Sequence, residues 1–471
     1  MQCLRCARRC LPAAGVLLPA FLLAGCVQGP AYVRPTVQVP SHYRFASTPL
    51  RPDPVATLAE VPRWWRHFGD AQLDALVDEA LRANHDLGIA TARVDEFAAR
   101  AAAVRAEALP VLGYGVAAGR QRTPGVGTGG NYAGLLSASW ELDLWGRLRR
   151  EREAARADLM ATEEARRGVA LTLVAAVVTG YITLLDLDRQ LEIARATLAG
   201  RGQNVEVFQQ RLDGGALSEL EMLQVTAEYE SAAAAIPELE QALAMQEHAL
   251  SVLVGRNPGA IARAGTLQAL HAPSVPPGLP SDLLARRPDI LQSEQALVAA
   301  NARIGVARTL YFPRLSLSGE AGSASSELDR LFTGPARTWS FAGQLLGPIF
   351  AGGSIAAANQ QAEARNQQAV LAYQGAIQDA FRDVDDALVA IQSNTTLVAS
   401  LERRVTALRR AVGLAVERYD NGYSDHLEVL DTERGLFSAE LALSSARGNR
   451  YRALVALYQA LGGDWATEAA Q

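Results

Sequence analysis

Apolar residues spaced by seven, without exception, run through two long stretches of the chain. The first set is Val177, Leu184, Leu191, Leu198, Val205 and Leu212; the second is Val370, Ile377, Val384, Ile391, Val398, Val405, Val412 and Tyr419. A strict heptad lays one apolar seam along an α-helix that packs side by side with others. From Gly146 to Leu212 is 67 residues, or about 100 Å if helical throughout. That exceeds any ordinary globular helix, so the pattern implies a filament-like or tubular assembly.

The two stretches belong to an internal duplication. Each residue of the first set lies 207 before its counterpart in the second. Arg211-Leu212-Asp213-Gly214-Gly215 matches Arg418-Tyr419-Asp420-Asn421-Gly422, and Val254-Gly255 matches Leu461-Gly462, at the same shift. Leu109-Pro110-Val111-Leu112 matches Phe312-Pro313-Arg314-Leu315 at a shift of 203. Each half turns at a glycine and returns. Ser218 with Glu221, and Asp425 with Glu428, place a capping oxygen three residues before a Glu. Each half therefore holds a long helical hairpin, with tips near 213–216 and 420–424. Another helical pattern starts near Asp70 and runs to about Leu109.

Four short segments alternate with period two. Leu112, Tyr114 and Val116 alternate with Gly113, Gly115 and Ala117; Leu136, Ala138 and Trp140 with Ser137, Ser139 and Glu141. Arg314 to Ala321 alternates throughout, and Trp339, Phe341 and Leu345 alternate with Ser340, Ala342 and Gln344. Strands with one apolar and one polar face occur in an ordinary half-buried sheet as well as in a transmembrane barrel, and two such hairpins at duplicated positions favour the barrel. Their turn-rich connections are 121–130 and 325–337. Four strands cannot close a barrel, which needs about eight. Several copies must therefore share one. No segment has the roughly 20 uncharged apolar residues of a spanning helix, so a membrane crossing is expected only through strands.

The N-terminus predicts export and lipidation. Arg5, Arg8 and Arg9 precede the apolar Leu11–Leu23, which ends in Leu23-Ala24-Gly25-Cys26. This reads as a bacterial lipoprotein box, with residues 1–25 removed and Cys26 lipidated. Cys3, Cys6 and Cys10 would be discarded, leaving no disulfide or cysteine metal site. Removing three arginines and no acid takes the formal net charge from −5 to −8. An acidic chain gives no footprint for nucleic acid. The proline-rich stretch that follows (Pro30, Pro35, Pro40, Pro49, Pro52, Pro54, Pro62) reads as an extended tether.

Several motifs are similar to those of one family. Cys26-Val27-Gln28-Gly29-Pro30-Ala31-Tyr32-Val33-Arg34-Pro35 resembles an N-terminal signature. Trp64-Trp65 with Phe68, Leu73 and Leu76 to Asn84 resembles the start of a first helix. Arg286-Arg287-Pro288-Asp289-Ile290, with Glu294 and Leu297 and running on to Phe312-Pro313, is the most specific match. Together they resemble the outer-membrane efflux proteins of the TolC/OprM type, in their lipoprotein (NodT) branch. Ala31 departs from the acidic residue usual there. The resemblance implies a mainly α fold with a transmembrane β part. It implies a homotrimer, with a twelve-stranded barrel shared by three copies and helical hairpins forming a periplasmic tube. It implies a passive exit duct of a tripartite efflux pump, using no ATP and no cofactor. Its partners would be outer-membrane lipid, a periplasmic adaptor (membrane fusion) protein and an inner-membrane pump of the resistance–nodulation–division type. By the same resemblance a periplasmic gate follows the second tip, with Leu427 and Asp431 facing the pore and Tyr419 and Arg434 tying the helices in the closed state. Spacing by four and then three allows Leu427, Asp431 and Arg434 one helix face. The tips at Gly214, Gly215, Asn421 and Gly422 are the expected adaptor-docking points.

The domain boundaries expected are a signal peptide at 1–25 and a lipidated tether at 26–69. A first repeat follows at 70–275 with β-hairpin 111–141, then a second at 276–463 with β-hairpin 314–347, then a tail at 464–471. Gly125-x-Gly127-x-x-Gly130 fits a dinucleotide fingerprint but joins two strands with no helix after it, so an outer loop is expected. Six histidines show no metal-ligand spacing. Asp383, Asp385 and Asp386 lie beside the Val384 seam and read as a solvated helix face. No convergent set of His, Ser, Cys or carboxylates is present, so an enzyme is not expected. The alternatives are the duct of a type I protein secretion system and a periplasmic coiled-coil scaffold, which would lack the amphipathic strands.

Overall fold

In the computed structural model, residues 27–45, 63–125, 127–273, 275 and 280–463 are described. The signal segment, Cys26, Pro49, Pro52, Pro54, Pro62 and the tail 464–471 lie outside the described residues. Eight α-helices and four strands follow in order: α1 (Ala71–Ala83), α2 (His85–Ala106), β1 (Val111–Thr123), β2 (Gly127–Leu142), α3 (Arg147–Asp213), α4 (Glu219–Leu253), α5 (Leu283–Arg286), α6 (Pro288–Thr309), β3 (Arg314–Ser325), β4 (Arg337–Leu346), α7 (Ser354–Asp420) and α8 (His426–Ala460). Both heptad stretches are single helices of 67 residues. The seams they carry are buried where they are most apolar: Val177, Leu184, Ile377 and Val384 are fully enclosed. Each buried Val, Leu or Ile of this kind contributes roughly 1.5–3 kcal/mol.

The chain forms two compact units, and each draws segments from both halves of the duplication. One contains residues 92–163 and 292–375, with Val27–Val37 as its described N-terminal part. Its centre is a four-stranded antiparallel sheet in the order β1-β2-β3-β4. The register sets Tyr114 opposite Leu136, Trp140 opposite Leu317, Ala321 opposite Trp339 and Gly319 opposite Phe341. Paired residues share a face, so Leu112, Tyr114, Val116, Leu136, Trp140, Leu317, Trp339, Phe341 and Leu345 all lie on one side. All nine are exposed. Ser137, Ser139, Ser318, Glu320, Ser340 and Gln344 fall on the other. An apolar face left uncovered beside a polar one suits lipid on one side and water on the other. The fingerprint-like glycines are part of this hairpin: Gly127 and Gly130 already belong to β2.

The N-terminal segment is pinned to the same unit. Arg34 Nε donates to Glu294 Oε1 at 2.6 Å, and the Tyr32 hydroxyl donates to the same oxygen at 3.0 Å. Burial and the Glu294 carboxylate push the Tyr32 phenol far above its usual range. Asn301 Nδ2 donates to Pro30 O at 3.1 Å.

The other unit comprises 38–91, 164–291 and the described residues from 376 onward. Its core gathers Trp64, Trp65, Phe68, Leu73, Leu76, Val77, Val177, Val178, Tyr181, Ile182, Leu184, Tyr451 and Tyr458. Trp64 stacks on Tyr458 with centroids 4.7 Å apart. This core corrects one expectation. Residues 168–185 are uncharged, and α3 is long and apolar enough by composition to cross a membrane. That stretch instead feeds the core, with 61% of its most apolar window buried. The helix expected from Asp70 to Leu109 is also broken. Asn84 is extended (ψ 130°); its side chain accepts from Leu87 N and donates to Leu253 O, both at 3.0 Å. The Asn thus caps α2 while ending α1.

The Arg287-Pro288-Asp289 motif is a latch in this unit. Pro288 opens α6, where its missing N–H costs nothing. The buried Arg287 guanidinium binds Asp289, Asp383 and the Ala460 carbonyl at 2.6–3.0 Å. This ties the start of α6 to α7 and to the end of α8. Asp383 and Asp385 are accordingly not a plain solvated face: Asp385 also accepts from the Arg44 amide at 2.9 Å.

Candidate functional site

Both hairpin tips are built by the same local chemistry. At the end of α3, Ala216 N donates to Arg211 O and Gly215 N to Leu212 O, each at 2.9 Å. At the end of α7, Tyr423 N donates to Arg418 O at 2.8 Å and Gly422 N to Tyr419 O at 2.9 Å. These are paired Schellman closures, which need a left-handed residue. Gly215 and Gly422 supply it, with φ of +71° and +75°. The return helices differ in their caps. Ser218 and Glu221 form a complete capping box. Asp425 accepts from Glu428 N, while Glu428 reaches Arg418 at 3.5 Å.

Among the ties that cross from one hairpin to the other, two stand out near the tips. The Arg211 guanidinium donates to the Tyr419 hydroxyl at 3.0 Å. Arg434 Nε and Nη2 donate to Glu228 Oε1 at 2.9 and 2.5 Å. Glu228 is itself buried and also pairs with the buried Arg201 at 3.1 Å. Arg201 in turn lies over the Phe437 ring, 5.5 Å from its centroid. Burial raises the Glu433 carboxyl beside this cluster above the usual range. Tyr419 and Arg434 thus both join α3/α4 to α7/α8. Arg434 makes its ion pair with Glu228 and not with its helix neighbour Asp431. Asp431 and Leu427 are exposed, Leu427 to 51%.

Under the ties lies a small aromatic core. Phe208, Val225 and Leu430 are buried together. His426 packs against Phe208 and Tyr419, with ring centroids 4.2 and 4.9 Å away. It is 4% exposed, and neither ring nitrogen has a hydrogen-bond partner among the described residues. Burial lowers its pKa, and the Arg211 charge lowers it further against the opposing pull of Glu221 and Asp425.

Sequence reasoning found Tyr419 and Arg434 but not Arg211, Glu228, Arg201 or His426. A signal for two of them was present. Arg211 and Tyr419 are 208 apart, Glu228 and Arg434 are 206 apart, and the repeat shift is 207. Repeat-related positions lie side by side at the tips, so the shift itself points to which residues meet. Among the described residues no group of three or more His, Cys, Asp or Glu could hold a metal ion.

An open amphipathic sheet with two hairpins, each built on a 67-residue helix, defines a duct-forming membrane protein. The chain belongs to the outer membrane efflux protein family, whose pattern it matches over residues 76–256 and 279–463. It is 36% identical over 469 residues to outer membrane protein OprJ of Pseudomonas aeruginosa, covering 96% of each chain. It is 35% identical to the cation efflux system protein CusC of Escherichia coli, covering 95% of this chain and 99% of that one. A crystal structure of CusC superposes with a TM-score of 0.85 at 34% identity, covering 93% of this chain and 100% of that one. The open-state MtrE outer membrane channel of Neisseria gonorrhoeae gives 0.84 at 30% identity, covering 93% and 98%. The chain is an outer-membrane efflux channel, a component of a tripartite efflux system.

Proposed function

We propose that three copies of this chain form one passive duct, with twelve strands in a shared barrel and a gate at the hairpin tips. A periplasmic adaptor would dock at Gly214–Gly215 and Asn421–Gly422, and an inner-membrane pump would deliver cargo. The duct does no chemistry of its own. Cys26 carries the lipid, and the chain divides along its length into tether, first repeat and second repeat at the boundaries given above. Relatives are named for cations, solvents and toluene. That range fits a duct whose cargo is chosen by the pump that feeds it.

The observation that carries the gate is the pair of cross-hairpin ties, Arg211–Tyr419 and Glu228–Arg434, beside exposed Leu427 and Asp431. Two hairpins bonded at their tips hold the opening narrow; moving one outward must break both bonds. The Arg434 side chain is 54% exposed, so solvent screens its pair and the tie is weak enough to yield to a docking partner. Arg434→Ala with Tyr419→Phe should raise the single-channel conductance of the purified protein in planar bilayers and lengthen its open dwell times. Wild-type conductance in the double variant would place the constriction elsewhere.

A further inference from the structure

We propose that an arginine-lined groove between α2 and α3 holds the phosphate of an anionic phospholipid of the inner leaflet. The groove has a volume of 740 Å³ and is floored by Gln295 and Val298 of α6. Four guanidinium groups, Arg105, Arg149, Arg152 and Arg156, surround it. All four are exposed. Arg105, Arg152 and Arg156 have no hydrogen-bond or ion-pair partner among the described residues, whereas Arg149 reaches Asp143 at 3.2 Å. The groove's one carboxylate, Glu153, is taken by Arg150 at 2.8 Å. The chain contains no lysine, so its basic groups are planar forks that bind phosphate oxygens in pairs.

Its depth in the molecule matches a headgroup layer. Trp140 stands on the apolar face of the sheet, and its indole N–H donates to the Ala108 carbonyl at 3.0 Å. Such amphipathic rings mark the membrane–water boundary. Arg105 is one helical turn before Ala108. Arg149, Arg152 and Arg156 share one face of the first turns of α3, within about 10 Å of helix rise. A second marker agrees. Gln28 N donates to Trp145 O at 3.1 Å, and Arg150 donates to the Gln28 and Gly29 carbonyls, each at 3.0 Å. Cys26 is two residues from Gln28, about 7 Å of chain. The described Gln28 therefore stands beside the first turn of α3, two residues after the proposed lipid-bearing Cys26. Cationic forks at headgroup depth, three of them unpaired, favour a net-negative lipid over a zwitterionic one.

This rests on the outer-membrane placement and not on the gate. The test counts lipids bound to the full-length protein in detergent by native mass spectrometry. Phosphatidylglycerol, phosphatidylcholine and inorganic phosphate are supplied in separate arms. Wild type should retain phosphatidylglycerol at least about fivefold over phosphatidylcholine. R152Q with R156Q should remove that preference, the Arg→Lys pair should keep part of it, and Arg403→Gln with Arg404→Gln on α7 should keep all of it. Conductance should stay at the wild-type level, which separates lipid loss from a failed duct. Equal phosphatidylglycerol retention in the glutamine pair would overturn the proposal. Displacement of the lipid by inorganic phosphate at equal concentration would show a soluble-anion site instead. A phosphatidylglycerol preference seen in the dissociated monomer and absent from the intact oligomer would show that a neighbouring copy fills the groove.

Discussion

His426 is an ionisable ring sealed among Phe208, Tyr419 and Arg211, with Glu221 and Asp425 as the nearest carboxylates. Burial holds it neutral, so its folded pKa lies below the ordinary value of 6.5. Protonation is then easier once the tip opens. Between the lowered folded value and 6.5, the opened state binds more protons, and tip stability falls as pH falls. Above 6.5 the penalty is absent. Hydrogen exchange of residues 208–226 and 419–430 should therefore quicken as pH drops from 7 to 5, after correction for intrinsic rates. His426→Phe should flatten that dependence while leaving the rest of the protein unchanged. A pH profile identical in the two proteins would show that another group titrates there. The sequence made Tyr419 and Arg434 visible through a motif, but His426 showed only that it lacks metal-ligand spacing. Its burial depends on Phe208, more than two hundred residues earlier, and only tertiary packing brings the two together.

At the scale of elements, the long helices were the most legible because each heptad position repeats the same statement many times over. Their ends were legible for a different reason: Gly215 and Gly422 need φ near +70°, and a glycine after an apolar run states that need directly. A Cβ at either glycine meets nothing within 4 Å, so substitution strains only the backbone, by about 1–2 kcal/mol. Gly422→Ala should loosen the second tip locally and leave oligomer and barrel intact. The caps separate the two tips. Ser218→Ala removes the hydroxyl that accepts from Glu221 N and donates to Glu221 Oε2, while the Ser218 backbone N–H keeps its bond to Glu221; it should cost about 1 kcal/mol, raising exchange at residues 219–222 roughly fivefold. Asp425→Ala removes one bond at 3.4 Å and should do less; a larger effect there than at Ser218 would contradict the reading. The break at Asn84 was not legible, because an asparagine within a helical pattern is common. Its capping role needs the Leu253 carbonyl that α4 brings to it.

For the whole molecule, what one chain leaves unfinished is informative. The sheet ends on β1 and β4, which pair only inward within the chain. Free edges invite strands from other copies. Helix α2 carries 22 residues and no buried one, so one copy alone gives it no core to cover. Copies closing about a threefold axis would answer both, and would repeat every exposed residue of the tip three times around one opening. Asp431 is exposed, and Arg434, three residues on along the same helix, is engaged by Glu228. In such an assembly the Asp431 charge would be available to the pore, one helical turn beyond the apolar Leu427. Three such carboxylates would attract cations and hold a trivalent one as a plug, since attraction scales with both charges. Planar-bilayer recordings should show block by a trivalent cation, weaker block by a divalent one and none by potassium. Asp431→Asn should weaken the trivalent block by about tenfold or more without raising conductance in its absence. Arg434→Ala should do the converse, opening the channel while leaving block in place. Both carboxylate number and tie strength are then read in one experiment, and equal trivalent block in wild type and Asp431→Asn would remove Asp431 from the constriction.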